Sequence, residues 1–450
     1  WSIVDTPSGE GNVVLSPSEI NTIALGSEGE TFYALDIPTW HDDDGDGIVD
    51  PNEVGKVYKS TNGGVTWEDD LTKALGDAEP AAALPAWDIA VAPSAPELVA
   101  AVTNNRTAVY VSEDGGRSWD AIVMPDLGGM LISDITFSGS RDIAISTRNP
   151  DGNDNGDVWV RNSELIPSWE SIGLNMDASS VAFSPGYGGD NVILAIASDN
   201  IGTYLCTRHK VGDNWIDAIP PVEISEASES SPGESEIIVS DLALPSSDYS
   251  TDAAWTVYAS YYSTTDADDA YRIKHGAGEE DAYVSRLKIK GGDKVSLASI
   301  DYNNGKLLVG GVFAEISSAS ALIYFCSNPE EAFPDWEEPT EPPTGGAFSG
   351  CANTQVAWSS DGELAYCGTS TNHVESATEW ADTSLPGAWS GNAGDEPDES
   401  AFSVSRDSAD TWNQLSLIDT QMSRLCDYAL SADYKTLYLA SVGSGFDSLW

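Results

Sequence analysis

The sequence predicts an all-β fold, an eight-bladed β-propeller of four-stranded antiparallel blades, and three observations predict it. A short strand–turn–strand phrase recurs along the 450 residues, its eight copies centred on Ala24-Leu25, Ala90-Val91, Thr136-Phe137, Ala182-Phe183, Ala243-Leu244, Ile300-Asp301, Ala357-Trp358 and Ala429-Leu430. The copies are 66, 46, 46, 61, 57, 57 and 72 residues apart, and the distance from the last round to the first, with the chain counted as a circle, is 45. Units of about 45 residues suit a four-stranded blade, and a ring that uses its whole sequence needs no caps, unlike an open solenoid. The composition agrees: 41 Gly, 15 Trp and 17 Tyr suit many short strands joined by tight turns.

The first strands carry the phrase itself, as in Val181-Ala182-Phe183-Ser184-Pro185 and Val356-Ala357-Trp358-Ser359-Ser360-Asp361-Gly362. Second strands follow at Thr31 to Leu35, Leu98 to Val102, Val192 to Ala197, Leu364 to Gly368 and Leu437 to Ala440. Third strands are expected at Lys56 to Lys59, Ala108 to Val111, Val158 to Val160, Thr203 to Leu205, Tyr283 to Ser285 and Leu322 to Phe325. Such aromatic and β-branched residues suit strands packed on both faces. The chain ends at Ser448-Leu449-Trp450, read as a third strand, and begins with Trp1-Ser2-Ile3-Val4, read as a fourth. The last blade is therefore expected to be closed by N- and C-terminal strands, which hides the open edge. Residues 1–450 read as one domain, and the start at Trp1 within a repeat unit suggests a processed chain or part of a longer one.

The turn between third and fourth strands repeats a motif. It is clear in Ser60-Thr61-Asn62-Gly63-Gly64-Val65-Thr66-Trp67 and Ser112-Glu113-Asp114-Gly115-Gly116-Arg117-Ser118-Trp119, and Ser405-Arg406-Asp407-Ser408-Ala409-Asp410-Thr411-Trp412 fits with Ala in place of Gly. Degenerate copies end at Trp169, Trp215 and Trp336. These turns resemble the Asp-box (BNR) repeats of the sialidase and sortilin-like propeller superfamily. The resemblance implies a structural role. The acidic or amide side chain holds turn N–H groups, Gly takes the left-handed position, and Trp packs between sheets. It implies nothing about substrate.

With 73 acidic and 20 basic residues the net charge is −53. Such a surface repels nucleic acid and anionic membranes and attracts cations. No apolar run approaches the roughly 20 residues that span a bilayer, so direct membrane insertion is not expected. Cys206, Cys326, Cys351, Cys367 and Cys426 show no metal-type spacing. They allow at most two internal disulfides, or are simply buried and reduced. The first unit has no Arg, and Arg148-Asn149-Pro150 is a poor match to the arginine motif of a sialidase. His41, His209, His275 and His373 show no clustered ligand spacing and read as solvated loop residues.

One segment carries metal chemistry. Asp42, Asp44 and Asp46 stand at positions 1, 3 and 5 of a twelve-residue loop, with Gly47 at 6, Ile48 at 7, Asp50 at 9 and Glu53 at 12. This is the ligand spacing of an EF-hand-like calcium loop, and carboxylates so crowded repel one another unless a cation sits between them. Pro38 precedes it and a strand follows, so it reads as a Ca²⁺ loop inserted into a β protein. A second candidate uses Asp151, Asn153, Asn155 and Asp157, and lacks an acid at its twelfth position, Asn162. Both loops fall between second and third strands, as do the other long insertions. These span about residues 38–54, 148–157, 264–280 and 370–400, and belong to one face of the disk.

The function expected from these features is that of an extracellular calcium-binding structural or interaction propeller, a cell-surface, surface-layer or filament component rather than an enzyme. Its partners would be proteins or further copies of itself at the cell surface, with polysaccharide possible. The alternative is a glycan-binding or glycan-hydrolysing propeller. A glycosidase needs only two carboxylates, and Trp40, Trp380 and Trp389 in the face loops could stack on sugars.

Overall fold

The computed structural model describes residues 20–26, 29–36, 57–68, 70–78, 86–103, 106–139, 141–149, 155–163, 167–199, 201–226, 237–263, 269–290, 295–311, 322–343, 346–347, 353–370, 398–420, 424–430, 437–442 and 447–449. Blade 1 holds β1 (Ile20–Leu25), β2 (Phe32–Asp36) and β3 (Val57–Ser60), followed by helix α1 (Asp70–Gly76). Blade 2 holds β4 (Asp88–Ala92), β5 (Ala95–Thr103), β6 (Ala108–Ser112) and β7 (Asp120–Ala121), and blade 3 holds β8 (Leu131–Phe137), β9 (Ile143–Arg148), β10 (Val158–Arg161) and β11 (Trp169–Ser171). Blade 4 holds β12 (Asp177–Phe183), helix α2 (Tyr187–Asp190), β13 (Val192–Ser198), β14 (Gly202–Val211) and β15 (Asn214–Glu226). Blade 5 holds β16 (Ile237–Ala243), β17 (Trp255–Ser263), β18 (Asp269–His275) and β19 (Ala282–Arg286), and blade 6 holds β20 (Leu297–Asn303), β21 (Lys306–Gly311), β22 (Ile323–Cys326) and β23 (Trp336–Glu337). Blade 7 holds β24 (Gly346–Ala347), β25 (Asn353–Trp358), β26 (Ala365–Ser370), β27 (Asp398–Ser405) and β28 (Asn413–Thr420), with β24 and β28 both paired to β27.

Each blade is an antiparallel meander with its first strand innermost. The second strands are buried on both faces and read as nearly continuous apolar runs. In β13, Val192, Leu194 and Ile196 pack toward blade 5, while Ile193, Ala195 and Ala197 pack toward blade 3. The period-two alternation of a strand thus serves two interfaces at once. Blade 1 replaces most of its fourth strand. Among the described residues only the bridge Lys59–Glu68 continues the sheet, and α1 covers the β3 edge, where Thr72 Oγ1 accepts the Val57 N–H at 2.9 Å. A covered edge offers no template for pairing with another chain.

The expected count of eight blades is corrected to seven. The innermost strands touch in the cyclic order β1, β4, β8, β12, β16, β20, β25 and back to β1. Among the described residues the large apolar clusters likewise lie one between each neighbouring pair, blade 7 to blade 1 included. That closing cluster joins Phe32, Tyr58 and Trp67 to Tyr366, Phe402 and Val404, with Phe32 edge-on to Tyr366 at 4.6 Å. Gly64 is essential there, because a Cβ on it would lie 2.2 Å from the Phe402 ring. The last repeat does form strands, β29 (Arg424–Leu430), β30 (Leu437–Val442) and β31 (Asp447–Leu449), in a sheet of its own. It has no place in the ring, because β1 packs directly on β25 and β26. Trp1 to Val4, expected as its fourth strand, lie outside the described residues.

A second correction concerns blade 5. Its third strand is β18, paired with β17 along its length, and Tyr283 to Ser285 belong to the fourth strand, β19. Residues 269–275 are therefore sheet rather than part of an insertion.

Candidate functional site

Two sets of polar side chains are placed by this fold, one at the third-to-fourth-strand turns and one along the innermost strands. At the turns, Ser60 Oγ accepts the Gly64 N–H at 2.9 Å, Asn62 Oδ1 accepts the Thr66 N–H at 2.9 Å, and Trp67 Nε1 donates to Gly64 O at 3.0 Å. The same cycle runs through Ser112, Asp114, Gly116 and Trp119. It recurs through Ser405, Asp407, Ala409 and Trp412. The three Trp rings are buried in the blade 7–1, 1–2 and 6–7 clusters. These residues staple a turn and wedge neighbouring sheets, and every polar atom in the cycle is used locally.

Blade 5 holds its turn differently. His275 ends β18 where Ser60 ends β3, and it is buried rather than solvated. Its Nδ1 lies 3.0 Å from Ala253 O and its Nε2 2.9 Å from Glu279 O, with the ring stacked on Trp255 at 5.0 Å.

The inner strands carry a set of carboxylates that clasp one blade to the next. Asp134 accepts its own neighbour's N–H, Ile135, at 2.7 Å, and reaches across to the Val181 N–H of blade 4 at 2.7 Å. Asp241 does the same with Leu242 (2.7 Å) and Ile300 of blade 6 (2.9 Å), and Asp301 with Tyr302 (2.7 Å) and Trp358 of blade 7 (2.7 Å). Asp88 bonds Ile89 and reaches Ile135 of blade 3. Ser299 takes the role with the Val356 N–H at 3.0 Å. Packed among the strands, these groups lose the water that favours their charge. Burial pushes Asp241 up to about 7 and Asp301 up to about 6, their backbone N–H bonds opposing it. Asp88 and Asp134 bond each other, and burial raises both, with like charge adding to the rise at Asp134. Arg106 lies 4.9 Å over the Trp87 ring, and burial and Arg148 push its guanidinium down while Asp88 pulls it back. Arg148 spans blade 4 to donate to Ile237 O of blade 5 at 3.1 Å. A carboxylate with each oxygen on a backbone N–H acts as a clamp.

None of these carboxylates was singled out in the sequence. The available signal was an Asp two places before the repeat centre, in Asp88-Ile89, Asp134-Ile135 and Asp241-Leu242 of the second, third and fifth units.

Asp42, Asp44, Asp46, Ile48, Asp50 and Glu53 lie outside the described residues, in the connection between β2 and β3. Asp151 and Asn153 also lie outside them. Asn155 donates to Asn175 O at 2.6 Å, and Asp157 is committed to the sheet. Asp157 Oδ1 accepts the Val158 and Leu174 N–H groups at 2.7 and 2.8 Å, and Oδ2 accepts the Ser171 hydroxyl. A cation at Asp157 would compete with all three, so its geometry fits an anchor better than a ligand. Among the described residues no cluster of three or more His, Cys, Asp or Glu is arranged to hold a metal ion. Cys206, Cys326 and Cys367 are buried free thiols, and burial pushes Cys206 up to about 12. Cys351 and the Cys426 side chain lie outside the described set.

No protein-family model matches the chain, and no curated protein sequence matches it significantly. Solved structures do resemble it. The GH74 xyloglucanase from Xanthomonas campestris is 13% identical with a TM-score of 0.53, over 96% of this chain and 59% of that one. YCF48 from Cyanidioschyzon merolae is 13% identical over 80% of this chain and 95% of its own, with a TM-score of 0.47, and the Dos1 propeller is 9% identical over 98% and 94%, with a TM-score of 0.48. This chain spans about three fifths of the xyloglucanase, and what it shares with that enzyme at 13% identity is the β-propeller fold.

Proposed function

We propose that the chain is a calcium-binding structural or interaction propeller that works outside the cell or at its surface. The observation that carries this reading is the ligand spacing of Asp42, Asp44, Asp46, Ile48, Asp50 and Glu53, which fall in the connection between β2 and β3. The β9–β10 and β26–β27 connections leave the ring on the same face. Loops of one face on a stiff scaffold are where recognition is commonly built. The net charge of −53 supports an environment rich in cations, where it keeps the chain soluble and apart from nucleic acid.

The ion's role is structural. Residues 38–54 contain few apolar side chains to bury, so bound Ca²⁺ supplies the order that a core cannot. The ligands are carboxylate oxygens of Asp42, Asp44, Asp46 and Glu53 and the carbonyl of Ile48, with Asp50 or water completing the shell. Calorimetry on the chelated protein is expected to show uptake of Ca²⁺, and Glu53→Gln is expected to weaken it at least about tenfold by removing a charged ligand. Asp43→Asn, outside the ligand positions, is expected to change it little. Absence of calcium uptake, or equal uptake by Glu53→Gln, would remove this reading.

A further inference from the structure

We propose that Phe333 is a rigid docking knob for a protein partner that presents an apolar pocket rimmed by Lys and Arg. The side chain is 83% exposed, at the tip of the turn between β22 and β23, on the face opposite the calcium-type loop. An exposed aromatic on a loose loop would call for no explanation. This loop is braced from below. Arg272, itself buried, donates through Nη1 to Pro329 O at 2.5 Å and to Glu331 O at 2.8 Å. The Tyr258 hydroxyl donates to Glu330 at 2.6 Å, and Lys274 pairs with the same carboxylate. Across the mouth of the turn Asn328 Oδ1 accepts the Asp335 N–H at 2.9 Å. Pro329 and Pro334 restrict the backbone on either side of the tip.

The turn therefore spends a buried arginine of the neighbouring blade to hold an apolar ring in water. Rigid aromatic anchors of this kind lose little entropy on binding and carry much of the energy of an interface. The rim selects the partner. Glu331 and Asp335 of the same turn and Glu337 of β23 are exposed, so a pocket edged with basic side chains is attracted and an acidic one repelled. Anionic lipid and nucleic acid are disfavoured by the same carboxylates. The proposal shares the interaction half of the function above and does not depend on the calcium loop.

The test is a random-peptide phage display library selected on the whole calcium-loaded chain. Enriched peptides, made synthetically and labelled, are then titrated against Phe333→Ser and Glu331→Gln. Phe333→Ser should keep the wild-type melting temperature, since the ring contributes little to the fold. The expected result is peptides that place Lys or Arg beside apolar residues, bind more weakly as salt rises, and lose at least about tenfold in affinity with Phe333→Ser. Glu331→Gln should cost a smaller factor and flatten the salt dependence. No enrichment, or peptides without basic residues, would overturn the proposal. Peptides that bind Phe333→Ser unchanged would overturn it while leaving the interaction reading in place.

Discussion

Ser408 and Ala409 hold left-handed backbone, with φ of 62° and 66°, where the matching turns have Gly63 and Gly64, or Gly115 and Gly116. A side chain there crowds the following carbonyl, and the hydrogen-bond cycle of Ser405 and Asp407 holds the strained conformation in place. Ser408→Gly is expected to raise stability by about 0.5–1 kcal/mol, relief of strain outweighing the entropy gained by the unfolded chain. A urea midpoint that rises with unchanged slope would show it, and a lower midpoint would mean that Ser408 contributes a contact worth more than the strain. Glycine is not interchangeable in the opposite direction. A Cβ on Gly116 would lie 2.4 Å from Leu71 Cδ2 of α1, so Gly116→Ala is expected to lose stability in the same assay.

At the scale of the strand, the inner carboxylates tie blade 2 to 3, 3 to 4, 5 to 6 and 6 to 7, beside the apolar clusters that join every pair. A strand's ladder bonds end with its own blade, and the inner strands of neighbouring blades meet through side chains. Asp301 supplies one of these links, and its loss leaves the N–H of Trp358 without its partner in a packed interface. Asp301→Ala is therefore expected to cost about 2–3 kcal/mol, the penalty for a buried donor left unsatisfied. Amide exchange at Trp358 should quicken more than at Trp255, which lies in another blade interface. Equal changes at the two sites would mean that Asp301 acts through global stability alone.

For the whole molecule the same carboxyls set an unusual dependence on pH. Asp241 and Asp301, raised to about 7 and about 6, take up protons in the folded chain at a pH where the unfolded chain remains ionised. Their contribution is complete below about 4 and is lost as pH rises through 6 and 7. Acidification also trims the repulsion within a chain of net charge −53. Stability is expected to increase from pH 7.5 to pH 5, by at least about 2 kcal/mol in urea unfolding at fixed calcium. It should fall again in stronger acid, where Asp407 gains a proton. The Thr411 hydroxyl and N–H and the Ser405 hydroxyl hold that carboxyl low. A flat or rising profile between pH 5 and 7.5 would contradict the reading.

The sequence by itself determined what depends on near neighbours. A recurring strand–turn–strand phrase rich in aromatic and β-branched residues marked the strands, and Ser-x-Asn/Asp turns ending in Trp marked their connections, because each is written within a few residues. Even the last repeat forms the strands its pattern implies. Tertiary structure decided what depends on distant partners. Asp134, Asp241 and Asp301 bond backbone groups 47, 59 and 57 residues away, and only their place in the ring gives them partners. The blade number is of the same kind. Repeats count sheets, whereas closure depends on the wedge of side chains between them, and that wedge brings Phe402 of blade 7 onto Gly64 of blade 1 after seven.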